Sequence, residues 1–402
     1  MTTAKALSES ALAARVADPG LWAGDPHPHL ARLRAEAPLA RCEELGLPHF
    51  WAVSKHADVL RISRDPSTFC SARGVLLMDL ERDLPKIPGA LLYLDPPEHA
   101  TYRRLLNPAF STSKMRALEA DTRARARALI EQVPEGEPVD VVAKLTVPYP
   151  LLVIADLLGA PGEDWPRFYE WSDVMIAAAT VIDDASIAVL AEMGGYFLDL
   201  VAQRRGDPHD DLVTMLCHAD IDGQVLSDEE LMMFYGQLLV AGNETTRNLL
   251  SGGLVTLSEH PEQWQLLRDD PTRLPVAVEE MLRWSTPVIS FMRTATRDVE
   301  LRGRQVREGD PLLLLYTSAN RDEDEFGPTA DRFDVTRDPN HHVSFGFGEH
   351  FCLGAALARI EARVFFEELT ARFATVVPAG PVERLESGVI AGITRAPLVF
   401  GR

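Results

Sequence analysis

Apolar and polar residues recur along this chain at two periods, and the helical one dominates. Apolar positions three and four apart mark helices over about 98–108, 113–132, 147–158, 163–178, 185–205, 228–259, 261–268 and 275–285. Leu30 to Leu39 reads as a short helix ended by Pro38. Phe50 to Val53 reads as a strand and Lys55 to Arg64 as a helix. Ser71 to Leu94 is apolar but broken by Pro85, Pro88 and Gly89, which predicts a loop. From Ser290 to Ala319 the period falls to two around Gly303 and Gly309, as in short strands and hairpins. A last helix carries Leu353, Leu357, Ile360 and Val364, and a hairpin follows it. The pattern predicts a mainly α fold with a small β part late in the chain. No stretch has linker composition, so 25–402 is expected to be one domain. The mixed, polar residues 1–24 are expected to form a flexible segment.

One predicted helix stands apart. Ser227-Asp228-Glu229-Glu230 has the form of a capping box, and the helix it opens runs to about His260, where Pro261 ends it. At 1.5 Å per residue it spans roughly 50 Å, enough to cross a whole domain. Its middle holds Gly242, Asn243, Thr245 and Thr246, poor helix formers in an apolar span. A threonine hydroxyl can bond the carbonyl one turn back, so a functional bulge is expected here.

Composition narrows the classes. With 402 residues, 46% hydrophobic and 25% charged, the chain has the make-up of a globular protein with a deep interior. A net charge of −20 argues against nucleic acid as a partner. No charge-free run reaches membrane-spanning length and the N-terminus lacks signal-peptide character, so no membrane anchor is expected. The four cysteines are scattered, which suits reduced thiols in the cytoplasm and fits no iron–sulfur spacing. No dinucleotide fingerprint or phosphate loop is present. A redox role would draw its electrons from another protein.

The chemistry concentrates in Phe345-Gly346-Phe347-Gly348-Glu349-His350-Phe351-Cys352-Leu353-Gly354. This glycine-rich loop delivers Cys352 to the start of a helix, where unpaired amides and the helix dipole favour a thiolate. Gly346, Gly348 and Gly354 leave out side chains where a large flat ligand would approach the backbone. A thiolate facing a flat cofactor points to haem iron held by sulfur. Two alternatives stand beside it: a small buried hydrophobe, and zinc held with His341, His342 and His350.

The ten-residue pattern resembles the haem-binding loop of the cytochromes P-450, Phe-Gly-x-Gly-x-His-x-Cys-x-Gly. Ala241-Gly242-Asn243-Glu244-Thr245-Thr246 resembles the same family's Ala-Gly-x-Asp/Glu-Thr-Thr motif, some 110 residues earlier and in the right order. The resemblance covers nearly the whole chain. It implies the single-domain cytochrome P-450 fold, with a long central helix and the cysteine loop enclosing haem b (iron protoporphyrin IX). By that resemblance Cys352 is the axial ligand of the iron, in a loop that includes Phe345, Gly346 and Gly354. Ala241 and Gly242 would lie over the haem and leave space for dioxygen. Thr245 would hold a water or reduced dioxygen, and Glu244 would bring protons from solvent. Splitting the O–O bond needs two protons, and a hydroxyl beside a carboxylate is a sensible donor chain. His99, Arg103, Arg293 and His350 match propionate contacts. Glu280-Met281-Leu282-Arg283 resembles the family's Glu-x-x-Arg, with Arg332 as third partner of an ion network.

The implied activity is that of a monooxygenase using O2, with NAD(P)H electrons arriving through a ferredoxin or flavodoxin and its reductase. Arg103, Arg104, Lys114, Arg116, Arg123, Arg125 and Arg127 form either a solvated face or an attractor for an acidic electron carrier. The family's substrate pocket maps to Leu76, Leu77, Met78, Leu91, Met175, Ile176, Leu238, Ala241, Val288, Ile289, Phe291, Ile390 and Ile393. That lining is apolar and predicts a lipophilic substrate: a steroid, terpenoid or branched lipid. Rival readings are a peroxide-using haem enzyme, whose type lacks the Glu-Thr pair, and a non-catalytic recruitment module, whose oxygen-activating helix is often damaged.

Overall fold

A computed structural model describes residues 8–43, 46, 49–81, 88–178, 183–221 and 223–402. The chain is mostly helical with small β sheets, as the periodicity predicts. It forms two compact units. The first comprises Met1–Lys86, Glu279–Cys352 and Glu383–Gly392; the second comprises Ile87–Val278, Leu353–Val382 and Ile393–Arg402.

A five-stranded sheet organises the first unit, in the order Leu39–Cys42, Phe50–Val53, Pro311–Leu315, Ser290–Ala295, Phe69–Cys70. Phe50–Val53 pairs in parallel with Pro311–Leu315, and the other neighbours are antiparallel. Pro311–Leu315 is buried along its length, which explains its unbroken apolar run. Leu313 and Leu315 join Phe50 and Met292 in one core, whereas Leu312 and Leu314 join Trp51 and Val53 in another. The strand's period of two thus feeds both faces.

The expected flexible segment 1–24 is folded wherever the structure describes it. Ser8 caps a helix over Glu9–Ala14, and Asp18 caps Pro19–Ala23. Leu12, Val16, Leu21 and Trp22 are buried in the sheet's first core. Their spacing is helical, but the polar residues among them mask it. Residues 1–7 lie outside the described residues, as do 82–87 of the loop expected over Ser71 to Leu94.

The second unit is built on the helix Asp228–Glu259 (32 residues), hereafter the central helix. Its capping box is complete: the Glu230 amide donates to Ser227 Oγ at 3.2 Å, and the Ser227 amide donates to Glu230 Oε2 at 2.8 Å. Helices Pro148–Leu158, Trp165–Ala178, Asp184–Gly206 and Ala355–Arg372 pack around it. The expected bulge is absent, and the helix is continuous through Gly242. Packing of this long, buried helix overrides the weak propensity of its middle. The predicted 113–132 helix is two, Thr112–Ala117 and Glu119–Ile130. The C-terminal hairpin forms from Thr375–Pro378 and Pro397–Gly401, with Pro138–Asp140 on its far edge.

Among the described residues one helix, Asp184–Gly206, is long and apolar enough to cross a membrane, with a mean hydropathy of 1.5 over its most apolar stretch. Its Met193, Phe197 and Leu200 are buried in the unit, and Glu192 pairs with Arg167.

Much of the basic stretch is neutralised within the second unit. Arg123 pairs with Glu119, Glu367 and Glu368, Arg127 with Glu368, Arg125 with Asp156 and Lys114 with Asp210. These residues bind helices together rather than forming a free basic face. Arg104 and Arg116 remain exposed.

Candidate functional site

In the first unit the cysteine loop is closed by its own backbone. The Cys352 amide donates to the Phe345 carbonyl at 2.9 Å, and the Gly346 amide donates to the Val343 carbonyl at 2.9 Å. Gly346 and Gly348 adopt φ of 67° and 73°, which glycine takes without strain. A Cβ on Gly348 would collide with the Ser63 carbonyl oxygen. Gly348→Ala is therefore expected to destabilise the fold by roughly 1–3 kcal/mol, read as a lower Tm. Arg64 stacks over Phe347 at 4.6 Å, and Phe345 packs on Phe351. His350 Nε2 shares a hydrogen bond with Ser71 Oγ at 3.1 Å. Gly354 is the N-cap of the helix Ala355–Arg372, so Cys352 ends the loop two residues before that cap. Cys42, Cys70 and Cys217 are buried; Cys352 alone among the four is half-exposed.

Zinc is not supported. Among the described residues no group of three or more histidine, cysteine or carboxylate side chains could hold a metal ion. His341 bonds Glu325, His342 bonds Glu279 and His350 bonds Ser71, so the three histidines serve different partners.

Arg293 is buried on Ser290–Ala295 and donates to its neighbour's carbonyl, that of Met292, at 2.7 Å. No carboxylate among the described residues pairs with it. A buried guanidinium of this kind asks for an anion.

Glu280 and Arg283 form a bidentate pair at 2.7 and 2.8 Å, both fully buried. Arg283 also donates to the carbonyls of Asn320, Ala330 and Arg332. By sequence the third charge of this cluster falls to Arg332. The structure gives that place to Arg337, whose Nε lies 3.2 Å from Glu280 Oε2, while Arg332 contributes only its carbonyl. Arg332 is exposed; Arg337, five residues on, reaches back into the cluster.

Leu76, Leu77 and Met78 are half-buried in a turn fixed by Asp79, whose Oδ2 accepts from the Val75 and Leu76 amides. Val288 and Ile390 face each other in an isolated β-bridge, and Phe291 stands edge-on to Tyr316. Ile289 departs from the expected lining: it is fully buried in the core beside Met292 and Leu313.

In the second unit the central helix has an accessible stripe. Leu238, Ala241 and Thr245, at i, i+3 and i+7, keep solvent exposure while most neighbours are buried. Thr245 Oγ1 donates to the Ala241 carbonyl at 2.5 Å. Gly242 lies close to the helix Pro148–Leu158: a Cβ there would meet Ile154 Cδ1 at 3.0 Å, so a larger residue would push on that side chain. Glu244 is 2% exposed, and its Oε2 lies 2.5 Å from Arg247 Nη2. Burial pushes its carboxyl up to about 7, against the pull of Arg247 and with the charge of Asp173 adding to the rise. Neither Arg247 nor Asp173 stands out in the sequence. Arg247 was findable, three residues beyond a carboxylate on one helix.

His99 and Arg103 occupy one face of the helix Glu98–Leu106, His99 buried and Arg103 half-buried. Leu91, Met175 and Ile176 are half-buried, with the Met175 methyl against Gly236. Ile393 is core instead, and its amide donates to Asn248 Oδ1 at 3.2 Å.

Each unit by itself carries groups suited to a large, flat, dianionic ligand with a metal centre. The first has an accessible thiol on a glycine loop and a buried arginine lacking a carboxylate partner. The second has a helix stripe of small and apolar residues and a histidine–arginine pair.

Comparison with known proteins agrees. The Cytochrome P450 family profile matches residues 195–398. Linalool 8-monooxygenase of Pseudomonas putida is 38% identical over 93% of this chain and 95% of its own length. Methyl-branched lipid omega-hydroxylase of Mycobacterium tuberculosis is 39% identical over 92% of this chain and 90% of its own. The crystal structure of a cytochrome P450 from Novosphingobium aromaticivorans superposes with a TM-score of 0.88, at 33% identity, over 97% of this chain and 98% of that one. Likeness of this extent, in sequence and in fold, gives the thiol loop and the central helix a known setting: the chain belongs to the cytochrome P450 family.

Proposed function

We propose that this haem b monooxygenase hydroxylates a neutral terpenoid or branched lipid, with Cys352 as axial ligand and Glu244 and Thr245 as proton relay. The observation that carries the reading is the loop Phe345–Gly354, closed by its own hydrogen bonds around the one cysteine that is not buried. Family membership supplies the activity itself: one atom of O2 enters a lipophilic substrate, and NAD(P)H electrons arrive through redox partners. Residues 25–402 would act as one functional domain in the cytoplasm, served by a ferredoxin or flavodoxin with its reductase. The relatives support the substrate class, since their names specify linalool and methyl-branched lipids. The half-buried Leu76, Leu77, Met78, Leu91, Met175, Ile176, Leu238, Val288, Phe291 and Ile390 are apolar, which suits such molecules.

The residue roles follow from placement. His99, Arg103, Arg293 and His350 would hold the two propionates, and Phe345, Gly346 and Gly354 would shape the loop against the ring. When bound, the haem supplies oxygen binding and reduction, and a thiolate ligand favours O–O cleavage. Thr245 would present its hydroxyl from the accessible stripe, exchanging the Ala241 carbonyl for the group that takes the proton. Glu244, adjacent and buried, would resupply that hydroxyl.

The test is turnover with ferredoxin, reductase and NADPH, compared with peroxide alone, on substrates chosen by haem spin-state shift. Thr245→Ala is expected to lower product formation on the order of 10²-fold while oxygen consumption continues as hydrogen peroxide. Unchanged coupling in that variant would remove Thr245 from the relay.

A further inference from the structure

We propose that Asp173, on the helix Trp165–Ala178, is where solvent protons reach Glu244, and that Arg247 is the positioning residue that keeps Glu244 turned to that side. The inference rests on the relay reading of Glu244 and Thr245 above.

In this structure the two relay residues do not bond each other. Thr245 is tied to the Ala241 carbonyl on the accessible stripe, and Glu244 is tied to Arg247 on the buried side. Consecutive helix residues point about 100° apart, so the proton source for Glu244 need not lie on the side of Thr245. The helix Trp165–Ala178 packs along the central helix at this level: Asn243 Nδ2 donates to Ser172 Oγ at 3.2 Å, both residues fully buried. Asp173 is the next residue and is exposed. Tyr169, one turn earlier and half-buried, has its phenol pushed up by burial and by the charge of Asp173.

Four buried atoms around Glu244 lack a protein partner: Asn243 Oδ1, Glu244 Oε1, Arg247 Nε and Asn248 Nδ2. Buried groups of this kind are normally satisfied by ordered water, which also carries protons. Arg247 uses one arm on Oε2, and Oε1 has no protein partner within hydrogen-bond distance, with the Asn248 amide beside the carboxyl.

The charges acting on Glu244 are Arg247 from its own helix and Asp173 from the neighbouring one; the phenol of Tyr169 feels all three. Burial is the largest influence and raises the Glu244 carboxyl; Arg247 pulls it down, and the negative charge of Asp173 opposes that pull, which leaves it at about 7. An acid poised there is half-protonated at neutral pH, able both to give and to regain a proton. The transfer balances simply: the Asp173 carboxylate takes a proton from solvent and passes it through water to the Glu244 carboxylate, which leaves Asp173 ionised again. No electrons move.

The experiment uses the full-length, haem-loaded protein. Infrared titration follows the protonated-carboxyl band that disappears in Glu244→Gln. Coupled turnover is measured in H2O and D2O. Asp173→Asn is expected to shift the Glu244 titration to lower pH, to slow product formation roughly tenfold and to enlarge the solvent isotope effect. Asp173→Glu should restore all three. Arg247→Gln should shift the titration to higher pH, and Arg247→Lys should return it towards wild type. A wild-type titration and isotope effect in Asp173→Asn, with Glu244→Gln inactive, overturns this proposal alone. Full coupled turnover in Glu244→Gln overturns the relay reading and this proposal with it.

Discussion

Cys352→Ser is expected to abolish monooxygenation and to remove the far-red Soret band of the reduced, carbon monoxide-bound protein. The reason is acidity. A thiol at the start of a helix ionises readily, and the thiolate is both ligand and electron donor. A serine hydroxyl in that place does not ionise near neutral pH. The loop itself should survive, because its closing bond is the position-352 amide to the Phe345 carbonyl, which a serine retains. The Ser71–His350 contact and the Arg64–Phe347 stack are likewise independent of the sulfur. The variant should therefore fold and stay soluble while losing the spectrum. Cys42→Ser, Cys70→Ser and Cys217→Ser are the controls. Their sulfurs are buried, and burial pushes the Cys217 thiol up, away from thiolate chemistry. Retention of the band in Cys352→Ser, or its loss in one of the folded controls, would move the ligand elsewhere and undo the assignment.

What the chain disclosed in advance, and what it hid, follows from the range of the interactions. The central helix was legible to within a residue because its start is a local signal, Ser227 to Glu230, and its end is Pro261. The cysteine loop was legible because backbone conformation confines it to glycine at 346 and 348. Only the structure shows that Gly348 is also held by the carbonyl of Ser63, distant in sequence. Gly242 was read through a motif, whereas its neighbour is Ile154 on another helix. Ile289 and Ile393 look like any pocket residue in sequence, and burial alone separates them from Val288 and Ile390. The N-terminal helices were hidden for the opposite reason. Their apolar residues are too few to outweigh the charges between them, and the core that buries them comes from residues as far off as Leu313. The basic stretch was only half legible because charge counted along a sequence ignores the carboxylates that folding brings to it, here Glu367 and Glu368 for Arg123.

Arg283→Ala is expected to be the most damaging substitution to stability outside the cysteine loop, costing about 3–5 kcal/mol. The guanidinium has no exposure, and its N–H groups go to Glu280 twice and to the carbonyls of Asn320, Ala330 and Arg332. Removing it takes a bidentate partner from a buried carboxylate and leaves two backbone acceptors, at Asn320 and Ala330, without their donor in one step. The remaining partners of Glu280 are Arg337, Asn340 and the Asp334 amide; Arg337 also donates to the Arg332 carbonyl, but the Asn320 and Ala330 carbonyls lose their guanidinium donor. Arg283→Lys should fail nearly as badly, since an ammonium cannot offer a planar bidentate fork and three further donors. Glu280→Gln should be milder, because the amide oxygen still accepts and Arg337 can turn outward. Arg332→Ala is the discriminating control: its part is played by a backbone carbonyl that alanine keeps, so its effect should stay within about 0.5 kcal/mol. Thermal and denaturant unfolding of the four variants orders them as Arg283→Ala, Arg283→Lys, Glu280→Gln, Arg332→Ala. A large loss in Arg332→Ala, or none in an Arg337→Ala variant, would return the third charge of the cluster to Arg332.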